Sequence, residues 1–149
     1  MKLKDHIHSK CLGMIQEKLD NLHRELDQLG LSYGVETKSS AGDKYETNRE
    51  MINQEKGKIA GRLEEVQKQA KVLNQIKVEK SPAVIGLGSL VRTSNGWYYL
   101  SVGLGAIDVL GHTVFAISLV SPIGKALVSK TTRTKFEING IEQEILEVY

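Results

Sequence analysis

Cysteine occurs once in this chain, at Cys11, so no internal disulfide can form and the fold must be held by packing and hydrogen bonds. A lone thiol fits a reducing compartment. No stretch approaches the ~20 consecutive apolar residues of a membrane span, and the N-terminus lacks the apolar run of a signal peptide. The expectation is a soluble, cytoplasmic protein with no membrane partner. Charge of one sign is also missing: the 149 residues net only +2, too little to imply nucleic-acid binding by itself. Aromatics make up 5% of the chain and are unevenly placed. Before residue 80 there are only Tyr33 and Tyr45, whereas Trp97, Tyr98, Tyr99, Phe115, Phe136 and Tyr149 come later. That asymmetry points to an elongated helical first half and a compact second half. The hydrophobic fraction of 40% is adequate for a core.

What is present first is a rhythm. Leu12, Ile15, Leu19, Leu22, Leu26 and Leu29 recur at spacings of three and four, the seam of a coiled coil. A second stripe runs through Ile52, Ile59, Leu63, Val66, Ala70 and Leu73, with one gap where Glu55 or Lys56 would stand. The remaining faces are charged, so neither helix buries much alone, and two such helices joined by a short polar segment pack as an antiparallel hairpin. Pairing Leu12 with Ala70, Ile15 with Val66, Leu19 with Leu63, Leu22 with Ile59 and Leu29 with Ile52 keeps the residue-number sum constant to within one. All five layers place the fold-back near Ala41, beside Gly42, inside Ser39–Glu50. From Leu12 to that point is about 44 Å at ~1.5 Å per residue. Lys2, Lys4, Lys10, Lys18 and Arg24 read as a solvated helix face, or alternatively as contacts to an anionic partner.

The helical rhythm stops around residues 78–83, where Ser81-Pro82 marks a linker. Beyond it the pattern is strand-like: "GSLVRT", "GWYYLSVGL", "TVFAISLV", "TKFEI" and "IEQEILEVY". Asn95-Gly96 and Asn139-Gly140 are hairpin signals. Alternation fails at Ile145-Leu146, which predicts a bulge or burial on both sides. Between the strands Ser121 is a natural helix N-cap and Pro122 a natural first residue, with Ile123, Ala126 and Leu127 as the buried face of a short helix. The predicted organisation is α+β: a helical hairpin over residues 1–77 with its tip near 39–46, a linker at 78–83, and an antiparallel sheet with one short helix over 84–149.

Several fragments look chemical. Gly86-Leu87-Gly88 and Gly103-Leu104-Gly105 resemble pieces of a dinucleotide loop, but neither opens a helix in a βαβ unit, so turns or bulges are expected. Ile123-Gly124-Lys125 lacks P-loop spacing. His6 and His8 lie close to the terminus, and His23 and His112 are isolated. No acid, base and nucleophile set assembles, so a self-contained enzyme is not expected. Asp43 and Glu46 stand at the fold-back. Their spacing is close to a capping box for the second helix. An exposed carboxylate there also keeps free acceptor oxygens, so the pair could supply hard ligands to Mg²⁺, completed by donors from a partner.

A helical hairpin of this length, the tip "GDKYE" and the run "ISLVSPIGKALVSK…FEINGIEQEILEVY" resemble the bacterial Gre transcript-cleavage factors, over nearly the whole chain. The resemblance implies an FKBP-like globular domain that docks on RNA polymerase and a coiled coil that enters the secondary channel. It further implies that Asp43 and Glu46 help hold a second Mg²⁺ in the polymerase active site, so that backtracked RNA is cut near its nascent 3′ end. The protein would be a monomeric accessory factor rather than an enzyme. The chain departs from the family pattern after the acidic pair, where Thr47, Asn48 and Arg49-Glu50-Met51 follow Glu46, and at Lys44, where an apolar residue is common. Some relatives share the fold and occupy the same channel yet inhibit polymerase, which is the alternative reading. An FKBP-like isomerase or chaperone module is a third.

Overall fold

A computed structural model describes the chain outside residues 40–42, and its side chains outside 31–46. Two long helices come first, α1 (Lys2–Ser39) and α2 (Asp43–Gln75). Then follow β1 (Leu90–Thr93), β2 (Gly96–Ser101), β3 (Gly105–Val109), β4 (His112–Ser118), α3 (Pro122–Leu127), β5 (Lys135–Ile138) and β6 (Ile141–Val148). The fold is α+β, a helical hairpin followed by a sheet with one short helix. The fold-back expected near Ala41 lies outside the described residues, between the end of α1 and the start of α2. Helix α2 stops at Gln75, ahead of Ser81-Pro82, and the chain leaves it through turns in which Ile76 N donates to Leu73 O and Lys80 N to Lys77 O.

The chain divides into two compact units, Met14–Ala70 and a second made of Met1–Gly13 with Lys71–Tyr149. In the helical unit the two stripes are the inward faces. Ile15 and Ile59 are buried, while Leu19, Leu22, Leu26, Leu29, Ile52, Leu63 and Val66 are half-buried. The gap in the second stripe is filled by Lys56, also half-buried; its aliphatic stem suits a partly covered position better than the shorter acid at Glu55. Leu22 lines one groove with Val66, and Leu29 lines another with Ile59. Later positions in α1 thus meet earlier ones in α2, the antiparallel order. The ion pairs Lys58–Glu55, Lys68–Glu64 and Lys68–Glu65 are solvent-exposed at 3.5–4.0 Å and contribute a few tenths of a kcal/mol each, roughly.

In the second unit the strands form one sheet in the order β3-β4-β2-β1-β6-β5. The β1–β2, β1–β6 and β5–β6 pairs are antiparallel as expected, and so is β3–β4; the β2–β4 pair is parallel, which corrects the wholly antiparallel sheet expected from sequence. The parallel pair arises because "GWYYLSVGL" ends at Ser101 and the chain makes a further strand, β3, which hairpins back onto β4. That strand was not anticipated from sequence. Its turn is Leu110-Gly111, with φ of 49° and 79°, so a leucine holds a left-handed position where Asn or Asp would have announced a hairpin. Asn139-Gly140 adopts the same conformation at φ 51° and 77°, as its sequence predicts. The expected irregularity at Ile145-Leu146 is a bulge: the register with β1 shifts between Arg92↔Glu147 and Thr93↔Ile145, skipping Leu146.

Alternation along β2 puts Tyr98 and Leu100 on one face and Trp97 and Tyr99 on the other. The first face carries the core of Ile85, Val91, Leu100, Leu127 and Ile145, closed by α3. Ser121 caps α3 by accepting from Gly124 N at 3.1 Å and donates to Ser118 O at 2.7 Å. A Cβ at Gly124 would lie 2.1 Å from Ser118 O, so only glycine permits this approach. The opposite face meets the first turns of α1, where Leu3, Ile7 and Cys11 extend the apolar rhythm toward the N-terminus and are buried.

Candidate functional site

The sequence singles out Asp43 and Glu46. The backbone places Asp43 at the first residue of α2 and Glu46 in its first turn, at the end of the hairpin where the two helices are joined. Their side chains lie outside the described residues, as does the question of which backbone groups they cap. Immediately beyond them, Thr47, Arg49 and Glu50 are exposed and Asn48 half-buried. Arg49, Glu50, Asn53 and Gln54 border an open groove of about 400 Å³ on this part of α2. Among the described residues no three His, Cys, Asp or Glu side chains converge in a way that could hold a metal ion. Mg²⁺ demands six oxygens in near-octahedral array. Two residues could supply at most part of such a shell, and the remaining ligands would have to come from a partner and from water.

A second polar constellation, invisible to the motif reading, sits where the first turns of α1 cover the sheet. His8 is buried rather than loose at the terminus, and its Nδ1 lies 2.7 Å from the Tyr99 hydroxyl with the rings edge to face. Burial holds the His8 pKa below its usual value, against the Asp5 carboxylate, which raises it; Lys4 lowers it further. The neutral ring can accept the Tyr99 proton at Nδ1, and burial raises the Tyr99 pKa, keeping the phenol protonated. Cys11 is fully covered, and burial pushes its thiol up to about 11, so little thiolate forms at neutral pH. The Ser101 hydroxyl beside it counteracts that shift. By distance and angle, Ser101 Oγ has no hydrogen-bond partner among the described residues, so this is a weak thiol–hydroxyl contact.

The basic face expected of α1 is only partly solvated. Lys4 is buried, its Nζ donating to Lys80 O, and desolvation lowers its pKa against Asp5 and Glu79. Lys10 Nζ donates to Asp108 O of edge strand β3. Both ammonium groups therefore tie helix α1 to backbone carbonyls of its own unit. His8, Tyr99 and Lys4 are buried and partnered, while Lys10 is exposed; their contacts hold α1 in its own unit and offer no reacting atom. The signal that could have found them is the spacing Leu3-Ile7-Cys11-Ile15, which carries the stripe to the first turn and puts His8 and Lys4 beside it.

Gly86-Leu87-Gly88 runs into a turn, as expected, whereas Gly103-Leu104-Gly105 leads into β3, with Leu104 N donating to Ala116 O. Gly88 has φ 86° and Gly105, which opens β3, has φ 77°. No helix among the described residues is long and apolar enough to cross a membrane.

No family profile and no curated protein sequence matches the chain. A solved structure of the transcription factor Gfh1 is similar to it at 24% identity, over 93% of this chain and 92% of that one, with a TM-score of 0.36. At that identity and score the likeness assigns no function.

Proposed function

We propose that the chain is a Gre-like accessory transcription factor that binds RNA polymerase and carries its helical hairpin into the secondary channel. There it stimulates cleavage of backtracked RNA by the polymerase's own active site. The observation that carries this reading is the coincidence of two independent features. The apolar stripes alone locate the fold-back, and the acidic pair Asp43 and Glu46 falls at that junction, in the first turn of α2. A long seam with charged flanks suits delivery of two carboxylates to a recessed centre. The sheet unit, with its closed core, suits docking outside it.

Asp43 and Glu46 would hold Mg²⁺ jointly with the polymerase. Bound there, the ion would supply an activated water and neutralise charge on the scissile phosphate. The chain's own contribution would be positional: the α2 backbone carries Asp43 and Glu46 one turn apart at the end of the hairpin. In this reading the polymerase supplies the reacting centre and the chain acts as an accessory factor.

The test is transcript cleavage on backtracked elongation complexes across a Mg²⁺ titration, with polymerase affinity measured alongside. Asp43→Asn and Glu46→Gln should severely reduce cleavage, leave polymerase binding intact, and recover partly at high Mg²⁺. Cleavage unchanged in both variants would remove the ligand role. Wild-type protein that binds polymerase and blocks elongation without cleavage would establish the inhibitor reading, toward which the Thr47-Asn48-Arg49 departure points.

A further inference from the structure

The last turn of α3 and the loop that follows it, up to the start of β5, concentrate charge in a way the rest of the chain does not. Between Lys125 and Lys135 the sequence carries four cations and no acidic residue, although the whole chain nets only +2. Lys135 is engaged: its Nζ lies 4.0 Å from Glu142, and Glu144 faces it across the β5–β6 ladder. Lys125, Lys130 and Arg133 are exposed, and none of the three makes an ion pair among the described residues. Ser129, Thr131 and Thr132, also exposed, interleave hydroxyls with these cations.

The loop backbone is held firmly. Ser129 N donates to Ile85 O and Ile85 N to Lys130 O, both at 2.9 Å. Arg133 N donates to Ile145 O at 2.7 Å and Ile145 N to Thr134 O at 2.9 Å. Ile85 and Ile145 both belong to the buried core, so the loop is pinned at two points to the most rigid part of the unit. Within it Ser129 and Arg133 adopt φ of 70° and 67°. Both are left-handed positions that glycine would occupy without strain. At Arg133 the chain keeps a long cationic side chain where its backbone disfavours one.

We infer that Lys125, Lys130 and Arg133 form a preorganised contact for the phosphate backbone of duplex nucleic acid. Guanidinium, ammonium and hydroxyl donors on a fixed backbone are the groups that meet phosphate oxygens without reading sequence. The loop presents no aromatic ring, since Phe136, the nearest along the chain, packs against the core. Single strands are held largely by stacking on exposed rings, so duplex is the favoured form. Three neutralised phosphates would give binding that falls with salt at a log–log slope of about −2.7, at roughly −0.9 per phosphate.

The experiment is fluorescence anisotropy of a labelled mixed-sequence DNA duplex with the full chain, from 25 to 200 mM salt on the order of the range where counterion release is measurable. Arg133→Gly should weaken binding and flatten the slope by about one phosphate equivalent. The same substitution should raise the thermal midpoint, because it relieves the left-handed strain. That pairing separates loss of contact from loss of fold. Combined substitution of Lys125→Gln, Lys130→Gln and Arg133→Gly should abolish the salt-dependent binding. Equal binding by wild type and the triple variant would overturn the proposal. So would a triple variant that loses binding to polyglutamate while wild type ignores duplex, since the loop would then serve an acidic protein segment.

Discussion

Gly124 shows how tightly one residue can be specified. Its missing side chain lets the first turn of α3 close on Ser118 O, with a Cβ at 2.1 Å from that oxygen. Because the obstruction is backbone, it cannot rotate away, and Gly124→Ala should cost about 1–3 kcal/mol as overpacking does elsewhere. Urea unfolding of the variant checks this, and no loss would mean that α3 can shift without penalty. His8 gives a pH signature. Its folded pKa is depressed, mainly by burial, so the unfolded chain, with a pKa near ~6.5, takes up the proton first as pH falls. The His8 contribution to stability is therefore complete above about pH 6.5 and is lost as pH drops toward the folded value. His8→Gln should flatten the stability–pH curve between ~7.5 and ~5.5, the window around that reference pKa. An unchanged curve would show that another group controls it. Tyr99→Phe should cost about 1–3 kcal/mol by leaving His8 Nδ1 without its partner.

At the scale of elements, the hairpin depends on a seam that is deeply buried in few places. Ile15 and Ile59 are 2% and 3% exposed, while Leu19 and Leu63 are half-buried. Ile59→Ala should accordingly cost about 2–5 kcal/mol, and Leu19→Ala should fall below that range. The layer-by-layer register also makes a geometric prediction: cysteines at Leu19 and Leu63, in a Cys11→Ser background, should cross-link under mild oxidation. Bridging needs Cα atoms within about 7 Å. Efficient cross-linking of Leu19 with Ile52 instead would break the register and move the acidic pair off the junction. The sheet carries its own exposed edges. β3 is guarded by the Lys10 ammonium on Asp108 O, and β5 by Lys135 and Glu137 pointing outward, devices that discourage edge-to-edge pairing.

On the scale of the whole molecule, capping and metal holding are compatible roles for Asp43 that respond differently to substitution. If the carboxylate only caps α2, asparagine replaces it with little loss, because it is an equally good N-cap. The expected outcome for Asp43→Asn is thus a thermal midpoint within a degree or two of wild type, roughly the effect of a few tenths of a kcal/mol, together with severe loss of cleavage. A large drop in midpoint would assign the residue chiefly to the helix end.

Much of the molecule could be read from the chain alone, because it rests on local or periodic signals. The stripes dictate two helices that must cover each other. Asn139-Gly140, Ser121-Pro122 and the failed alternation at Ile145-Leu146 announce a hairpin, a cap and a bulge through backbone preferences that act within a few residues. The same periodicity located the fold-back, and the residue types at 43 and 46 put an acidic pair beside it. Tertiary structure decided the rest, wherever a distant partner overrides a local preference. Leu110 and Arg133 hold left-handed positions without the residue types that usually mark them. The parallel β2–β4 pair depends on where β3 returns. Lys4 and His8 leave solvent because the turn after α2 supplies the Lys80 carbonyl and β2 the Tyr99 hydroxyl, and the desolvation they suffer is offset by these contacts from residues more than seventy positions away.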